Sequence, residues 1–185
     1  MQMTNALHLT PYEPANIIFI DTEFTSLDPR VGEILSIGIV KLNGDELYLE
    51  LEVPTDAPVS AWVKTHILES LTELKVSREE AVRQIRKFLG RRKPFAVAYV
   101  DNYDALYAVK LFGEGEKLPF KWMTIDFASI LFAAGINPTK LLASESEAKR
   151  FYRSLGIDPS AYRQHHALDD ARLLRDVWLK LVNNR

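Results

Sequence analysis

The sequence predicts an α/β protein, a mixed five-stranded sheet covered by helices on both sides, and three observations predict it. Extended apolar runs come first, at 17–20, 32–40 and 47–53, and only later do short apolar runs alternate with stretches at helical spacing. Asn43-Gly44 separates the second run from the third, a strong short-range hairpin signal, so the chain opens with three antiparallel strands. Its 185 residues contain no Gly/Ser-rich or Pro-rich linker and no internal repeat, so a single domain is expected over 1–185, with 1–14 as a polar lead-in.

Each element has its own signal. Ile17-Ile18-Phe19-Ile20 is a buried-strand run that stops abruptly at Asp21. Gly32 to Val40 and Leu47 to Val53 are the arms of the hairpin. A helix carrying Trp62, Val63 and Ile67 starts at Ser60. Ser77-x-x-Glu80 reads as a capping box before Val82, Ile85, Phe88 and Leu89. That helix closes on Arg91-Arg92-Lys93 and Pro94, a solvated basic end that suits the dipole. Phe95 to Val100 is a short strand, and Asp101 or Asn102 caps a helix with Leu106, Val109 and Leu111 on it. A strand around Trp122 to Ile125 leads into a helix that Asp126 caps. Ser144-Glu145-Ser146-Glu147 starts another helix, which stops near Gly156. The last helix runs from Ala167 to Val182, with Leu168, Leu173, Leu174, Val177, Trp178 and Leu181 forming most of one face.

Composition narrows the function. A formal net charge of -2, with both signs mixed along the chain, excludes the broad basic field of a duplex-coating protein; any nucleic acid is bound at a local site. The absence of cysteine excludes disulfides and thiolate metal sites and is compatible with a reducing cytoplasm. The first fifteen residues lack a basic start followed by an apolar core, and no apolar run reaches membrane-spanning length. A soluble cytoplasmic protein with no membrane partner is expected.

Asp21 and Glu23, Asp104, His165 and Asp170 lie far apart in sequence, each at the end of an apolar strand or near the head of a helix. Residues i and i+2 of a strand share a face, so Asp21 and Glu23 repel each other unless a cation or a proton lies between them. Four acids from separate elements can bracket two divalent ions, Mg²⁺ or Mn²⁺ by their preference for oxygen ligands. Two such ions hold the non-bridging oxygens of a phosphodiester and stabilise the departing 3′ oxygen. A neutral imidazole beside them can take the proton of the attacking water. The pattern is that of a two-metal phosphodiesterase.

Here the motifs carry a resemblance. Phe19 to Pro29, with Asp21-Thr22-Glu23 at its centre, resembles the first motif of the DnaQ-like, or DEDD, 3′–5′ exonucleases, and Glu33 to Val40 the strand that follows it. Asn102-Tyr103-Asp104 resembles the core of the second motif, and His165-His166-Ala167-Leu168-Asp169-Asp170-Ala171 the third in its histidine form, His-x4-Asp. The likeness spans about residues 15–182. It implies a ribonuclease H-like fold of sheet order 3-2-1-4-5, with Asp21, Glu23, Asp104 and Asp170 as metal ligands and His165 as general base. Trp62-Val63-x-x-His66 is most similar to a subgroup of small bacterial and phage 3′–5′ exoribonucleases. The expected partners are therefore single-stranded RNA or DNA 3′ ends, RNA somewhat favoured, and a homodimer is allowed for. Two departures stand out: Tyr99 and Val100 occupy positions where the family often has His-Asn, and Phe24 and Ser26 those where Thr and Gly are frequent.

Plainer readings stand beside these. Asp21 and Glu23 alone could end a solvated strand, and Asp104 alone could be a first-turn acid favoured by the helix dipole. His166 competes with His165, and His-x4-Asp selects His165, leaving Asp169 as the outward neighbour of Asp170. Phe24 and Leu27 either stack or wedge against a terminal base or pack in the core. Thr22, His66 and Asn102 complete the candidate substrate contacts. Other functions left open are a DNA proofreading-type exonuclease, a catalytically weakened module that binds nucleic-acid ends, and a phosphatase for small nucleotides.

Overall fold

Alternation along the first strand decides the architecture. In β1 (Ile17–Phe24), Ile18 and Ile20 face one side and Ile17 and Phe19 the other, and all four are buried. A strand buried on both faces needs a layer on each. The structure, a computed structural model, describes residues 16–182 and contains both layers. The lead-in at 1–14 lies outside the described residues.

β2 (Ile34–Lys41) pairs antiparallel with β1, and β3 (Glu46–Glu50) antiparallel with β2. β4 (Phe95–Ala98) runs parallel to β1, and β5 (Ile125–Asp126) parallel to β4. The order is β3-β2-β1-β4-β5, as expected. On one face Ile18, Ile20, Ile37, Ile39, Ala96 and Ala98 pack with Ile85 of α2 (Arg78–Leu89) and Tyr107 and Leu111 of α3 (Asn102–Phe112). On the other, Ile17, Phe19 and Val97 meet Phe127 and Leu131 of α4 (Phe127–Ala133) and Leu174, Val177 and Trp178 of α7 (Ala167–Val182). Each large apolar side chain so buried contributes about 1.5–3 kcal/mol.

Two details place the site. Gly38 pairs with Asp21 across β1 and β2, and a Cβ on it would lie 2.3 Å from the carbonyl oxygen of Ala167. Glycine therefore lets the head of α7 come down onto the sheet beside Asp21. Farther out, α1 (Ala61–His66) docks by Val63 on Leu35, which turns Trp62 and His66 outward. Outside α7's packing, α5 (Pro138–Ala143) and α6 (Glu145–Ser154) add Leu141, Phe151 and Tyr152 to its core.

Several expectations need correction. The third strand ends at Glu50 rather than Val53, and the fourth at Ala98 rather than Val100, because Val100 adopts a left-handed φ of 57° that no strand continues. The fifth strand is Ile125–Asp126 alone; Trp122 is 76% exposed and precedes it. Asp101 is the N-cap of α3 without a side-chain cap bond, since its carboxylate accepts instead from the Thr124 hydroxyl. Half of the capping box forms: Ser77 accepts from the Glu80 amide, whereas the Glu80 carboxylate turns to Arg83 and Gln84. Helix α5, started by Asn137 and Pro138, was not anticipated. Among the described residues no helix is long and apolar enough to cross a membrane.

Candidate active site

The face of β1 that packs under α7 is apolar as far as Phe19 and acidic beyond it. β4 pairs with Ile17, Ile18 and Phe19 only, so past Phe19 the sheet parts and β1 has β2 as its neighbour. A crevice beyond the carboxyl ends of parallel strands is where open α/β sheets take ligands. Asp21 and Glu23 project into it from β1, and Asp170 from the first turn of α7. The three carboxylates approach within 4.8 Å of one another.

Asp104 arrives from the opposite layer. Thr22 points away from Asp21 and donates its hydroxyl to Asp104 Oδ1 at 2.7 Å, which ties the first turn of α3 to β1. Asp104 is 7% exposed and is not in the set within 4.8 Å, yet its charge is felt there. Burial, then Asp104, Asp170 and Glu23, push the Asp21 carboxyl well above its ordinary value. Burial, then Asp170 and Asp104, push Glu23 up to about 8. Asp104 rises to about 7 through burial, against the pull of the Thr22 hydrogen bond. Asp170 likewise rises to about 7 through burial, against backbone bonds from His166 and His165. Four such acids resist ionising together at neutral pH. An all-oxygen donor set with repelling charges fits a hard divalent cation, which relieves the repulsion.

His165 sits in the turn before α7 with φ 55°, left-handed and unusual for a residue with a side chain. Partial burial of the ring and the neighbouring His66 lower its pKa, so the imidazole is neutral near pH 7 and able to accept a proton. Its ring meets Trp62 edge-on at 4.8 Å, and the other side of this aromatic group is His66, stacked on Trp62 at 4.8 Å. Trp62, 47% exposed, was missed as a site residue. Its signal was the i, i+4 spacing to His66, which sets both on one face of α1.

The remaining candidates are spread around the rim. Phe24 stacks on Tyr107 at 4.5 Å between ring centroids, in the α3 layer. Leu27 is 64% exposed on the loop after β1. That loop is clamped from α3, where Tyr107 donates to the Ser26 carbonyl and Lys110 pairs with Glu33 at 2.8 Å. Asn102 is exposed at the head of α3, and Thr22 is buried with its hydroxyl engaged by Asp104. Asp169 is not the outward neighbour of Asp170. It is 4% exposed and paired with Arg163 at 2.7 Å and Arg172 at 2.6 Å, because two guanidinium groups converge on it. His166 is also buried, its ring stacked on Tyr48.

Comparison with known proteins bears on the family and the fold. A family model described as Exonuclease matches residues 18–177. A PolC-type DNA polymerase III of Thermotoga maritima is 30% identical over 176 residues, 91% of this chain and 12% of that protein. A 3′–5′ exoribonuclease of Mycobacterium tuberculosis is 32% identical over 108 residues, 55% of this chain and 64% of that one. The chain thus spans about an eighth of the polymerase it matches. Among solved structures, the nuclease domain of 3′hExo, a DEDDh family member bound to rAMP, superposes with a TM-score of 0.65 at 14% identity. That match covers 91% of this chain and 92% of that domain, and at this identity it is a likeness of fold.

Proposed function

We propose a function from one premise: the chain belongs to the exonuclease family whose model spans residues 18–177. It is a metal-dependent 3′–5′ exonuclease that hydrolyses the terminal phosphodiester of single-stranded nucleic acid and releases mononucleotides, with RNA favoured over DNA. The observation that carries this reading is the meeting of Asp21, Glu23 and Asp170 within 4.8 Å in the crevice, with His165 on the adjoining turn.

Asp21, Glu23 and Asp170, with Asp104 at the edge, would hold two divalent cations, Mg²⁺ or Mn²⁺. Such ions, when bound, neutralise the phosphate oxygens and stabilise the departing 3′ oxygen. His165 takes the proton of the attacking water as its oxygen bonds to phosphorus; the bond from phosphorus to the 3′ oxygen breaks, and that oxygen is protonated from solvent. Trp62 and His66 border the site on one side, and Leu27 and Asn102 on the other, where they orient the terminal nucleotide; Thr22 acts through Asp104, and Phe24 packs on Tyr107.

The likeness to a mycobacterial exoribonuclease supports RNA. A second reading, a DNA proofreading-type exonuclease, is supported by the PolC-type relative aligned over 91% of the chain. Single-stranded 5′-labelled RNA and DNA of one sequence, each with Mg²⁺ or Mn²⁺, separate the two. Faster shortening of RNA supports the first reading and faster shortening of DNA the second. No shortening of either removes both.

A further inference from the structure

The turn that carries His165 is gripped on both sides, and the grip traces to one buried carboxylate and one strand. Two residues before His165, Arg163 gives its backbone N–H at 3.3 Å and its Nε at 2.7 Å to Asp169 Oδ2. Asp169 Oδ1 accepts from Arg172 Nη1 at 2.6 Å, and Arg172 continues to Glu46 of β3. One residue after His165, the buried His166 ring stacks on Tyr48 of β3 at 4.5 Å. The Tyr48 hydroxyl in turn donates to Glu50, whose Oε1 also accepts from the Thr72 and Glu73 amides. Glu46, Tyr48 and Glu50 alternate along β3 and so share one face.

We propose that Asp169 is a positioning residue for His165, acting through Arg163, with this face of β3 as the anchor; the proposal rests on His165 being the general base. A left-handed backbone at a residue with a side chain is unfavourable and persists only where the surroundings over-determine it. His165, at φ 55°, is such a residue, and the clasp on Arg163 and the stack under His166 fix the backbone before and after it. Asp169 forms no hydrogen bond or ion pair with the three converging carboxylates or the His165 ring. Its charge does reach Asp170, and an effect carried that way would show in Mn²⁺ binding, whereas one carried by the turn shows in kcat alone. The alternative is a buried ion pair that merely stabilises the first turn of α7.

The test compares Asp169→Asn and Arg163→Ala in the wild type and in His165→Ala. Steady-state release of the 3′ nucleotide from a labelled single-stranded oligonucleotide is followed alongside the Mn²⁺ dependence of melting. Asp169→Asn should lower kcat on the order of 10–100-fold, the size seen when an outer partner of a reacting group is lost. KM and the Mn²⁺ dependence should hold, and in His165→Ala the same change should alter the residual rate less than about twofold, since residues acting as a unit are not additive. Arg163→Ala, whose side chain is 61% exposed, should fold normally and show the same pattern more weakly, which keeps the test open if Asp169→Asn does not fold. Unchanged kcat in both variants, an equal fractional loss in both backgrounds, or weakened Mn²⁺ binding overturns the positioning role. An inactive wild type, or His165→Ala as fast as wild type, overturns the proposed function and the positioning role with it. An active wild type, a slow His165→Ala and an unaffected Asp169→Asn overturn the positioning role alone.

Discussion

The two halves of the crevice are built differently. On the β1–α7 side, Asp21, Glu23 and Asp170 stand on regular elements, brought together by the pleat of one strand, the first turn of one helix and the close approach that Gly38 permits. On the β4–α3 side the connection is irregular. Val100 is left-handed, its amide held by Asp126 at 3.1 Å, Asp101 gives its carboxylate to Thr124, and Asp104 is tied to Thr22. Asparagine would tolerate the left-handed backbone at position 100 far better than the β-branched valine that stands there. The three-carboxylate cluster therefore depends on parts that sequence patterns specify, while the fourth acid depends on a strained connector and one hydroxyl.

The predictions bear on that contrast. The largest effect is expected at His165, in the turn that leads into α7: alanine should cost on the order of 10²–10⁴ in rate, as the loss of a general base does, while Mn²⁺ still raises the melting temperature. Asp170→Asn should cost on the order of 10²–10³ in rate, comparable to removing one electrostatic stabiliser of a transition state, and should abolish the Mn²⁺ shift. Asp104→Asn should keep part of that shift; equal behaviour of the two variants in a melting titration erases the distinction between the halves. Thr22→Val, which removes the tie to Asp104 with little change of shape, should weaken metal affinity about 10–100-fold. A Mn²⁺ titration unchanged by that substitution contradicts the role given to Thr22.

Acidity offers another handle. Glu23 at about 8 and Asp104 and Asp170 at about 7 all lie above their ordinary range, so the folded protein holds protons that the unfolded chain releases from about pH 4 upward. The stability this brings is fully present below that range and is lost as pH rises through 7 to 8. In EDTA the melting temperature should therefore fall between about pH 5 and pH 8, and excess Mn²⁺ should restore more of it at the upper end. A melting temperature that rises over that interval contradicts the assignment. The smallest effect belongs to the irregular side: Val100→Asn should relieve backbone strain of about 1 kcal/mol. That corresponds to roughly 2–4 °C in melting temperature for a chain of this size.

Sequence legibility followed the same divide. Asp21 and Glu23 share a face because a strand has period two, and the bounds of α7 follow from its apolar stripe, so pattern sufficed for both. Apolar character carried the fourth strand on to Val100, since hydrophobicity says nothing of the sign of φ. Asp169 looked like an outward neighbour because its partners, Arg163 and Arg172 with Glu46 beyond, converge only once β3 and α7 are packed. Trp62 was visible as a helix residue and not as a neighbour of His165, a contact that joins positions about a hundred residues apart. Local sequence offers Asp101 or Asn102 as the cap of α3; Asp101 takes the position, and its carboxylate accepts from the hydroxyl of distant Thr124 instead of capping.

The measurement that bears most directly on the proposed site is the product pattern from a 5′-labelled single-stranded oligonucleotide with Mn²⁺, for wild type and Asp170→Asn. The wild type should give a ladder of labelled products shortened from the 3′ end one nucleotide at a time, which EDTA abolishes and Asp170→Asn lacks. An equal ladder from Asp170→Asn, or immediate release of the labelled 5′ nucleotide, would contradict a 3′ exonuclease centred on Asp21, Glu23 and Asp170.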